Sequence, residues 1–451
     1  MISHAAAINR LYGMQEVYRL MRDDIILQKT PISFDVSVWE IFWTLMTGAC
    51  MVIPSPGDHR DVARLIDLIK AHRVTTLHFV PTVLDLFLQH PDVSGCESLR
   101  RVFCGGELLR PQLQRKFFES LDAELHHLYG PTEATIDVTA WACQRHHAGS
   151  TIPIGRPVPN VTIYVLNEDG QPVDDEREGE IVIGGSQLAI GYLNKPDLTA
   201  KAFIKNPWSS DPQARLYRTG DKGRWRRDGC LEFLGRFDHQ IKLRGIRIEL
   251  QEVEAVLHQH PNVRQCIINL HGEGWQAQLI AFVVAHDQKT KQEAWRSHMA
   301  ERIPEAMIPS RFVLIDKMPL TTTGKIDRKA LEAYELSTDE VEESRQRTEA
   351  SGAPIDLRTP TQLAIHKIWS AVLGSQAISN RDDFFRLGGD SLRAIRVTLA
   401  IAKEFGLKMR MVVFFAGPTI AEQAAWIDEQ LAAPRSGTPQ ECLAKIGRAH
   451  V

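Results

Sequence analysis

No stretch of this 451-residue chain approaches the roughly 18 uninterrupted apolar residues of a membrane-spanning helix, and no basic-then-apolar leader opens it. Charge of one sign is lacking too. Lys and Arg number 53 against 56 Asp and Glu, a net charge of −3, so nothing electrostatic favours nucleic acid or an anionic membrane as partner. Cysteine is sparse. The seven residues (Cys50, Cys96, Cys104, Cys143, Cys230, Cys266 and Cys442) are scattered, with no CxxC and no metal-ligand spacing. That usage argues against a disulfide framework and fits a reducing cytoplasm. Internal repeats are also missing. What is present is an ordinary globular composition, 43% hydrophobic and 24% charged, on a chain long enough for about three domains.

The first 237 residues mix short apolar strands with amphipathic helices. Ala49 to Pro54 and Thr76 to Pro81 read as buried strands closed by proline, with a helix from Asp61 to Lys70 between them. Such alternation predicts βαβ units and a mostly parallel sheet. From about Val158 strands broken by Asp-Gly turns, as in Asn167-Glu168-Asp169-Gly170, predict a β-rich part. Residues 238–334 read as a smaller α+β domain, with a helix near Gln251 to Gln259 and a strand within Ala277 to Val284. Residues 335–357 are polar and acidic and read as a flexible linker. In 358–432, Ile365, Ile368, Trp369 and Val372 share one helical face, as do Leu392, Ile395, Leu399 and Ala402, and Thr419 with Glu422 makes a capping box. An all-α domain is expected there, followed by a tail, 433–451. Its last residues, Ile446 to Val451, resemble the in-frame translation of a sequencing adapter, so the tail is expected to be an artefact.

Five motifs follow one another: Tyr129-Gly130-Pro131-Thr132-Glu133, Tyr217-Arg218-Thr219-Gly220-Asp221, Gly235 to Leu250, Thr323-Gly324-Lys325-Ile326-Asp327-Arg328, and Phe384 to Leu392 with Gly388-Gly389-Asp390-Ser391. Alone, each has a plain alternative: a turn, a hairpin turn, a domain-boundary cap, a solvated loop lysine, and an N-cap serine. In this order the first four resemble the adenylate-forming enzymes, and the last resembles the phosphopantetheine attachment site of a carrier protein. An activating unit followed by a carrier is the layout of a nonribosomal peptide synthetase module. The resemblance runs from Ile2 to about Ile427. It implies a multidomain fold: an α/β large subdomain with a β-rich part, a small α+β C-terminal subdomain, and a four-helix carrier domain.

Adenylation joins a carboxylate to the α-phosphate of ATP and expels pyrophosphate, so the site needs cations, a Mg²⁺ ligand and a ribose clamp. By resemblance Lys325 bridges substrate carboxylate and α-phosphate, Tyr129 packs on adenine, Thr132 reaches phosphate and Glu133 holds Mg²⁺. Gly106, Glu107 and Gly130 complete the nucleotide loops, Asp221 takes the ribose hydroxyls, and Arg236 adds a donor. Asp238 matches the family's hinge. One orientation about it delivers Lys325; the other brings the Lys242 to Glu249 hairpin, with Gly245 at its tip, against the pantetheine arm. Ser391, at a helix N-terminus that favours a phosphodiester, would carry 4′-phosphopantetheine. ATP, Mg²⁺ and that arm are the implied cofactors. A phosphopantetheinyl transferase and neighbouring condensation or other synthetase domains are the implied partners.

Phe34-Asp35-Val36-Ser37-Val38-Trp39 resembles the motif that opens the amino-acid pocket, with Asp35 pairing the substrate ammonium. The pocket implied by resemblance is Asp35, Val36, Trp39, His78, Phe103, Gly105, Leu128, Ile136, Asp137 and Lys325. Trp39 and Phe103 would make it small, and a buried His78–Asp137 pair would favour a hydrogen-bonding side chain. L-Serine is the expected substrate, with threonine or another small polar amino acid behind it. His126-His127 and His146-His147 read as surface or structural residues.

The chain departs from the family at Gly105, at Ala306 for an aromatic, and at Gln251 for a glycine. The resemblance also implies a Ser/Thr/Gly-rich phosphate loop ahead of Ile2, which these 451 residues do not contain, so poor adenylation by them alone is expected. Two other readings stand beside the leading one: a carrier and docking module only, or a free-standing acyl-CoA ligase.

Overall fold

A strand buried on both faces needs a helix on each, and the alternating first part of the chain supplies them. The computed structural model describes residues 1–146, 149–238, 240–272, 274–287, 292–320, 326–332, 359–374 and 378–432. The chain divides into two compact units, Met1–Tyr334 and Glu335–Val451. Lys325, the 335–357 segment and the 433–451 tail lie outside the described residues. Among the described residues no helix is long and apolar enough to cross a membrane.

The first unit opens with a seven-stranded sheet: β1 (Ile25–Leu27), β2 (Cys50–Val52), β3 (Thr76–Phe79), β4 (Arg101–Gly105), β5 (Glu124–Tyr129), β6 (Thr139–Ala142) and β7 (Arg156–Pro157), ordered β2-β1-β3-β4-β5-β6-β7. The first five strands of that order run parallel; β6 and β7 join antiparallel. Its helices are α1 (His4–Tyr18), α2 (Val36–Thr47), α3 (Val62–His72), α4 (Pro81–Gln89) and α5 (Pro111–Ser120). Asp61 stands just outside α3, because its carboxylate accepts the Arg64 N–H at 3.1 Å and so caps it. The strand expected to reach Pro81 stops at Phe79, since Pro81 opens α4 in the first turn, where its missing N–H costs nothing.

The β-rich part holds β8 (Val161–Leu166), β9 (Gly179–Gly185), β10 (Phe203–Lys205), β11 (Arg215–Trp225) and β12 (Leu231–Arg236), with α6 (Pro196–Ala202) beside them. Their order is β10-β11-β9-β8, and β12 pairs with β11. Register against β9 slips between Arg218 and Lys222, so Thr219-Gly220-Asp221 bulges out of the ladder with Gly220 at φ +70°.

A hairpin, β13 (Ile241–Leu243) and β14 (Ile246–Ile248), turns at Arg244 and Gly245, φ +57° and +78°. Left-handed backbone at both central residues suits a two-residue hairpin turn. Then come α7 (Leu250–His258), α8 (Gln292–Ala300), α9 (Arg328–Glu332) and a sheet of β15 (Val263–His271), β16 (Gln278–Ala285) and β17 (Arg311–Leu314). Ile248, Val253, Leu257, Trp295 and Met299 form their core. Ala306 lies in the short turn Glu305–Met307, whose Met307 packs on that core.

In the second unit α10 (Pro360–Leu373), α11 (Ser391–Phe405), α12 (Met411–Ala416) and α13 (Ile420–Ala432) are the four helices among the described residues. Ile365, Trp369, Phe384, Phe414 and Ile427 are buried, and the Phe384 ring meets Trp369 and Phe414 edge-on. Thr419 and Glu422 cap α13 reciprocally: each side chain accepts the other's backbone N–H at 3.2 Å.

Candidate active site

The carboxyl ends of β3, β4 and β5 gather the pocket and nucleotide residues, where parallel sheets bind ligands. Asp35 precedes α2 and makes no capping bond; its Oδ2 accepts the Thr132 hydroxyl at 2.5 Å. Val36 opens the helix and Trp39 lies one turn on, fully buried. The Trp39 indole meets Phe103 at 5.2 Å and His78 at 6.2 Å between ring centroids. Its N–H has no hydrogen-bond partner among the described residues. Burial, and secondly the charge of Lys29, push the His78 imidazole well below its usual 6.5, so it stays neutral. A Cβ built on Gly105 would stand 3.6 Å from His78 Nε2 and 2.8 Å from the Leu128 carbonyl oxygen. Leu128 thus backs the glycine, and any side chain there would intrude between the two strands.

The pocket floor is Thr135-Ile136-Asp137. Thr135 and Ile136 both have positive φ, +59° and +74°, an unfavourable conformation for β-branched residues. Buried Gln187 holds it. Its side-chain nitrogen faces the carbonyls of Ala134, Thr135 and Asp137 at 3.2, 3.3 and 3.0 Å, and its backbone carbonyl accepts the Thr135 hydroxyl at 2.6 Å. Gly130 must be glycine, because a Cβ would fall 2.4 Å from the Ile136 oxygen. The expected His78–Asp137 pair is not the one formed. Asp137 pairs with Arg10 Nη2 at 3.3 Å, both side chains buried, since a buried carboxylate needs a cation and a neutral imidazole supplies none. Burial raises the Asp137 carboxyl above its usual range, with Arg10 pulling it down.

Nucleotide residues meet one another nearby. The Tyr129 hydroxyl donates to Asp221 Oδ2 at 2.5 Å, and Arg236 Nη1 bonds the other Asp221 oxygen. Arg236 also donates to Asp238 at 2.6 and 2.7 Å and to the Thr219 carbonyl at 3.0 Å. The Arg236 hydrogen bond holds the Asp238 carboxyl below its usual range. Asp238, the expected hinge, is therefore clamped to Arg236.

Of the two orientations implied for the small subdomain, the structure holds the one with the hairpin inward. Gly245 N–H donates to Glu107 Oε1 at 2.9 Å, while Glu107 Oε2 accepts from Thr82 N and Oγ1. Gly106, φ +84°, has its Cβ position 3.8 Å from Gly245 Cα, and Lys242 Nζ stands 5.9 Å over the Tyr129 ring. Arg247 Nη1 reaches both Glu133 oxygens, at 3.0 and 2.8 Å, and Tyr192 donates to Oε1 at 2.7 Å. Burial alone would raise the Glu133 carboxyl; the Arg247 charge and the Tyr192 bond hold it below its usual range instead. Among the described residues no three His, Cys, Asp or Glu side chains cluster as a metal site. Glu133, one hard carboxylate, fits a cation whose other ligands are phosphate oxygens, the pattern Mg²⁺ prefers.

In the second unit the cap of α11 is Asp390, not Ser391. Its carboxylate accepts the N–H groups of Leu392 and Arg393 at 2.9 and 3.0 Å. Ser391 is the first helical residue and has no capping duty, so its hydroxyl is available for esterification. Gly389 lies against the Phe384 ring, with a Cβ position only 2.3 Å from Cδ1, which ties the double glycine to the aromatic pair.

Arg10, Gln187, Tyr192 and Arg247 were not legible as site residues. Only Arg10 left a signal, a charge on the buried stripe Ala6, Arg10, Met14 and Tyr18 at four-residue spacing.

Residues 1–193 match the AMP-binding enzyme family, 252–325 the AMP-binding enzyme C-terminal domain, and 364–427 the phosphopantetheine attachment site. These define the class: the AMP-binding domains of the amino-acid adenylating ligases, followed by a phosphopantetheine carrier domain. Tyrocidine synthase 3 of Brevibacillus parabrevis is 42% identical over 97% of the chain, and enterobactin synthase component F of Escherichia coli (strain K12) 36% identical over 95%. The chain spans 6% and 33% of their respective lengths. The structure of holo-PA1221, an NRPS protein with adenylation and PCP domains, superposes with a TM-score of 0.73 at 26% identity, covering 90% of this chain and 66% of that one. Vibrio cholerae AlmE, in complex with glycyl-adenosine-5′-phosphate, gives 0.65 at 30% identity over 74% of this chain and 62% of that one. The chain belongs to the nonribosomal peptide synthetase family, as adenylation and carrier domains.

Proposed function

We propose that the chain activates a small polar amino acid, L-serine first, as its adenylate and loads it onto its own carrier domain at Ser391. Residues 1–237 and 238–334 would be the two adenylation subdomains, and 358–432 the carrier. The observation that carries the serine reading is the unpartnered Trp39 N–H beside the neutral His78. A buried donor left unmade costs about 1–3 kcal/mol. A substrate hydroxyl can accept from Trp39 and donate to His78, whereas an alanine methyl can do neither. Arg10 neutralises Asp137, leaving Asp35 as the pocket carboxylate for the substrate ammonium.

Around the nucleotide, Asp221 would accept the ribose hydroxyls while Arg236 holds it oriented. Glu133 would hold Mg²⁺, and Lys325 would neutralise the meeting carboxylate and phosphate. Bound at Ser391, the phosphopantetheine arm supplies the thiol that takes the acyl group. Because Asp390 does the capping, the Ser391 hydroxyl would be free of that duty for attachment by a phosphopantetheinyl transferase, and neighbouring synthetase domains would receive the product. The glycyl adenylate in AlmE supports amino-acid chemistry on this fold.

The test is amino-acid-dependent ATP–pyrophosphate exchange together with intact-mass analysis of Ser391 loading. Serine-dependent exchange followed by a serine adduct on Ser391 is the expected result. Modification of Ser391 without exchange for any amino acid would leave a carrier alone. Acyl transfer to free coenzyme A that survives Ser391→Ala would instead make it a coenzyme A ligase.

A further inference from the structure

Two consecutive residues of α1 hold the pocket floor from below. Asn9 Nδ2 donates to Gln187 Oε1 at 3.0 Å, steadying the side chain that gathers the Ala134, Thr135 and Asp137 carbonyls. Arg10 Nη2 donates to Asp137 Oδ2 at 3.3 Å. Arg10 is only 1% exposed, its Nε has no partner among the described residues, and no other side chain among them bonds the Asp137 carboxylate. A cation thus sits on the buried face of α1 for the sake of one carboxylate, and that carboxylate is assigned to the pocket.

Charges in a dry recess have to cancel nearby. At the floor Arg10 cancels Asp137. Near His78, burial lowers the Lys29 amine and raises the Glu40 carboxyl, and each opposes that shift in the other, so this second pair also cancels. With His78 neutral, Asp35 is left to answer the substrate ammonium. Asp35 and Asp137 share one electrostatic neighbourhood: burial raises the Asp137 carboxyl, Arg10 lowers it, and Asp35 raises it again. A serine hydroxyl adds no charge to this balance. An ammonium in the hydroxyl's place would add one that nothing answers, because Arg10 already holds Asp137.

We infer that Arg10 is a positioning residue that sets specificity from outside the pocket wall: by holding Asp137 it makes the floor neutral, so the recess refuses 2,3-diaminopropionate, the amino isostere of serine. Size cannot make that distinction, since the two side chains have the same length and Trp39 and Phe103 would admit both. The Trp39 N–H also disfavours an ammonium, which has no lone pair to accept it. The two causes separate at Arg10. Without its charge Asp137 becomes a bare floor anion, and the ammonium is then the partner it lacks. The preference reverses with no change in the residues that line the pocket.

This rests on the serine reading, and the experiment keeps the two apart. The full chain is titrated calorimetrically with non-hydrolysable sulfamoyl analogues of the seryl, alanyl, aspartyl and 2,3-diaminopropionyl adenylates. Wild type should bind the seryl analogue about a hundredfold more tightly than the diaminopropionyl one. Arg10→Gln, which keeps a donor for Asp137 but not the charge, should bring the two to parity or beyond. Arg10→Lys should keep the wild-type order, and Arg10→Gln combined with Asp137→Asn should restore it. A purely structural role for Arg10 would weaken every analogue alike. Should Arg10→Gln melt too early to titrate, the diaminopropionyl analogue should raise its melting temperature and the seryl analogue should not. Asp137→Asn gives an independent reading of opposite sign: it leaves Arg10 unanswered and should tighten the aspartyl analogue about tenfold. An unchanged seryl-to-diaminopropionyl ratio in Arg10→Gln, or a melting temperature that both analogues raise alike, overturns the role of Arg10. So does an unmoved aspartyl affinity in Asp137→Asn. The serine reading is tested by the wild type alone and fails if the alanyl analogue binds as tightly as the seryl one; a wild type that binds none of them overturns both.

Discussion

Arg10 and Asp137 lie 127 positions apart and meet where neither could be tolerated alone. Arg10→Met should therefore cost about 3–5 kcal/mol, the penalty of stranding a buried charge, and denaturant melts will read it. Adding Asp137→Asn should recover much of that loss. Trp39→Phe keeps the ring but removes the free N–H. It should cut serine-dependent exchange about tenfold in kcat/KM and leave alanine unchanged, narrowing the preference between them. His78 sets a pH dependence. Its folded pKa lies well below 6.5, so below about pH 6.5 the unfolded chain binds the proton that the folded chain refuses, and stability falls as pH drops. His78→Gln should flatten that decline between pH 7 and 5 in thermal melts. The motif residues were legible because local chemistry marks them: an Asp before an amphipathic helix, a Thr-Gly-Asp turn. The partners of Asp137 and Glu133 were not, because pairs more than a hundred residues apart leave no spacing to read.

At the scale of elements, the hairpin turn is the sharpest case. Gly245 has φ +78°, and a Cβ there would stand 2.7 Å from Val80 Cγ1. Gly245→Ala should keep the hairpin out, leaving pyrophosphate exchange near normal while thioester transfer falls at least about tenfold. Single-turnover loading of Ser391 from a preformed adenylate will show it. The capping box of α13 was readable from Thr419 and Glu422, since both halves of that contact lie within one turn. The cap of α11 was harder, because Asp390 and Ser391 are both good caps; the structure gives the role to Asp390. Asp390→Ala should destabilise the carrier by about 1 kcal/mol. The floor loop was illegible for another reason. Nothing in Thr135-Ile136 announces left-handed backbone, which propensity opposes and a distant glutamine imposes.

For the whole molecule, the sequential order of motifs carried most of the architecture: parallel sheet, β-rich part, small α+β part and four helices follow in the order read. What order could not give was where the β13–β14 hairpin docks, which long-range contacts such as Arg247 with Glu133 and Gly245 with Glu107 fix. The function proposed above, with adenylation separate from loading, predicts that Ser391→Ala abolishes covalent loading without altering serine-dependent exchange, as autoradiography beside an exchange assay will test. Gln187 has a consequence at this scale. It shapes the pocket floor entirely through carbonyl oxygens and a threonine hydroxyl, and it touches none of the side chains assigned to the substrate. Scaffold and lettering are therefore carried by different residues. An engineer grafting a new specificity onto this chain should change the walls of the recess and leave position 187 alone.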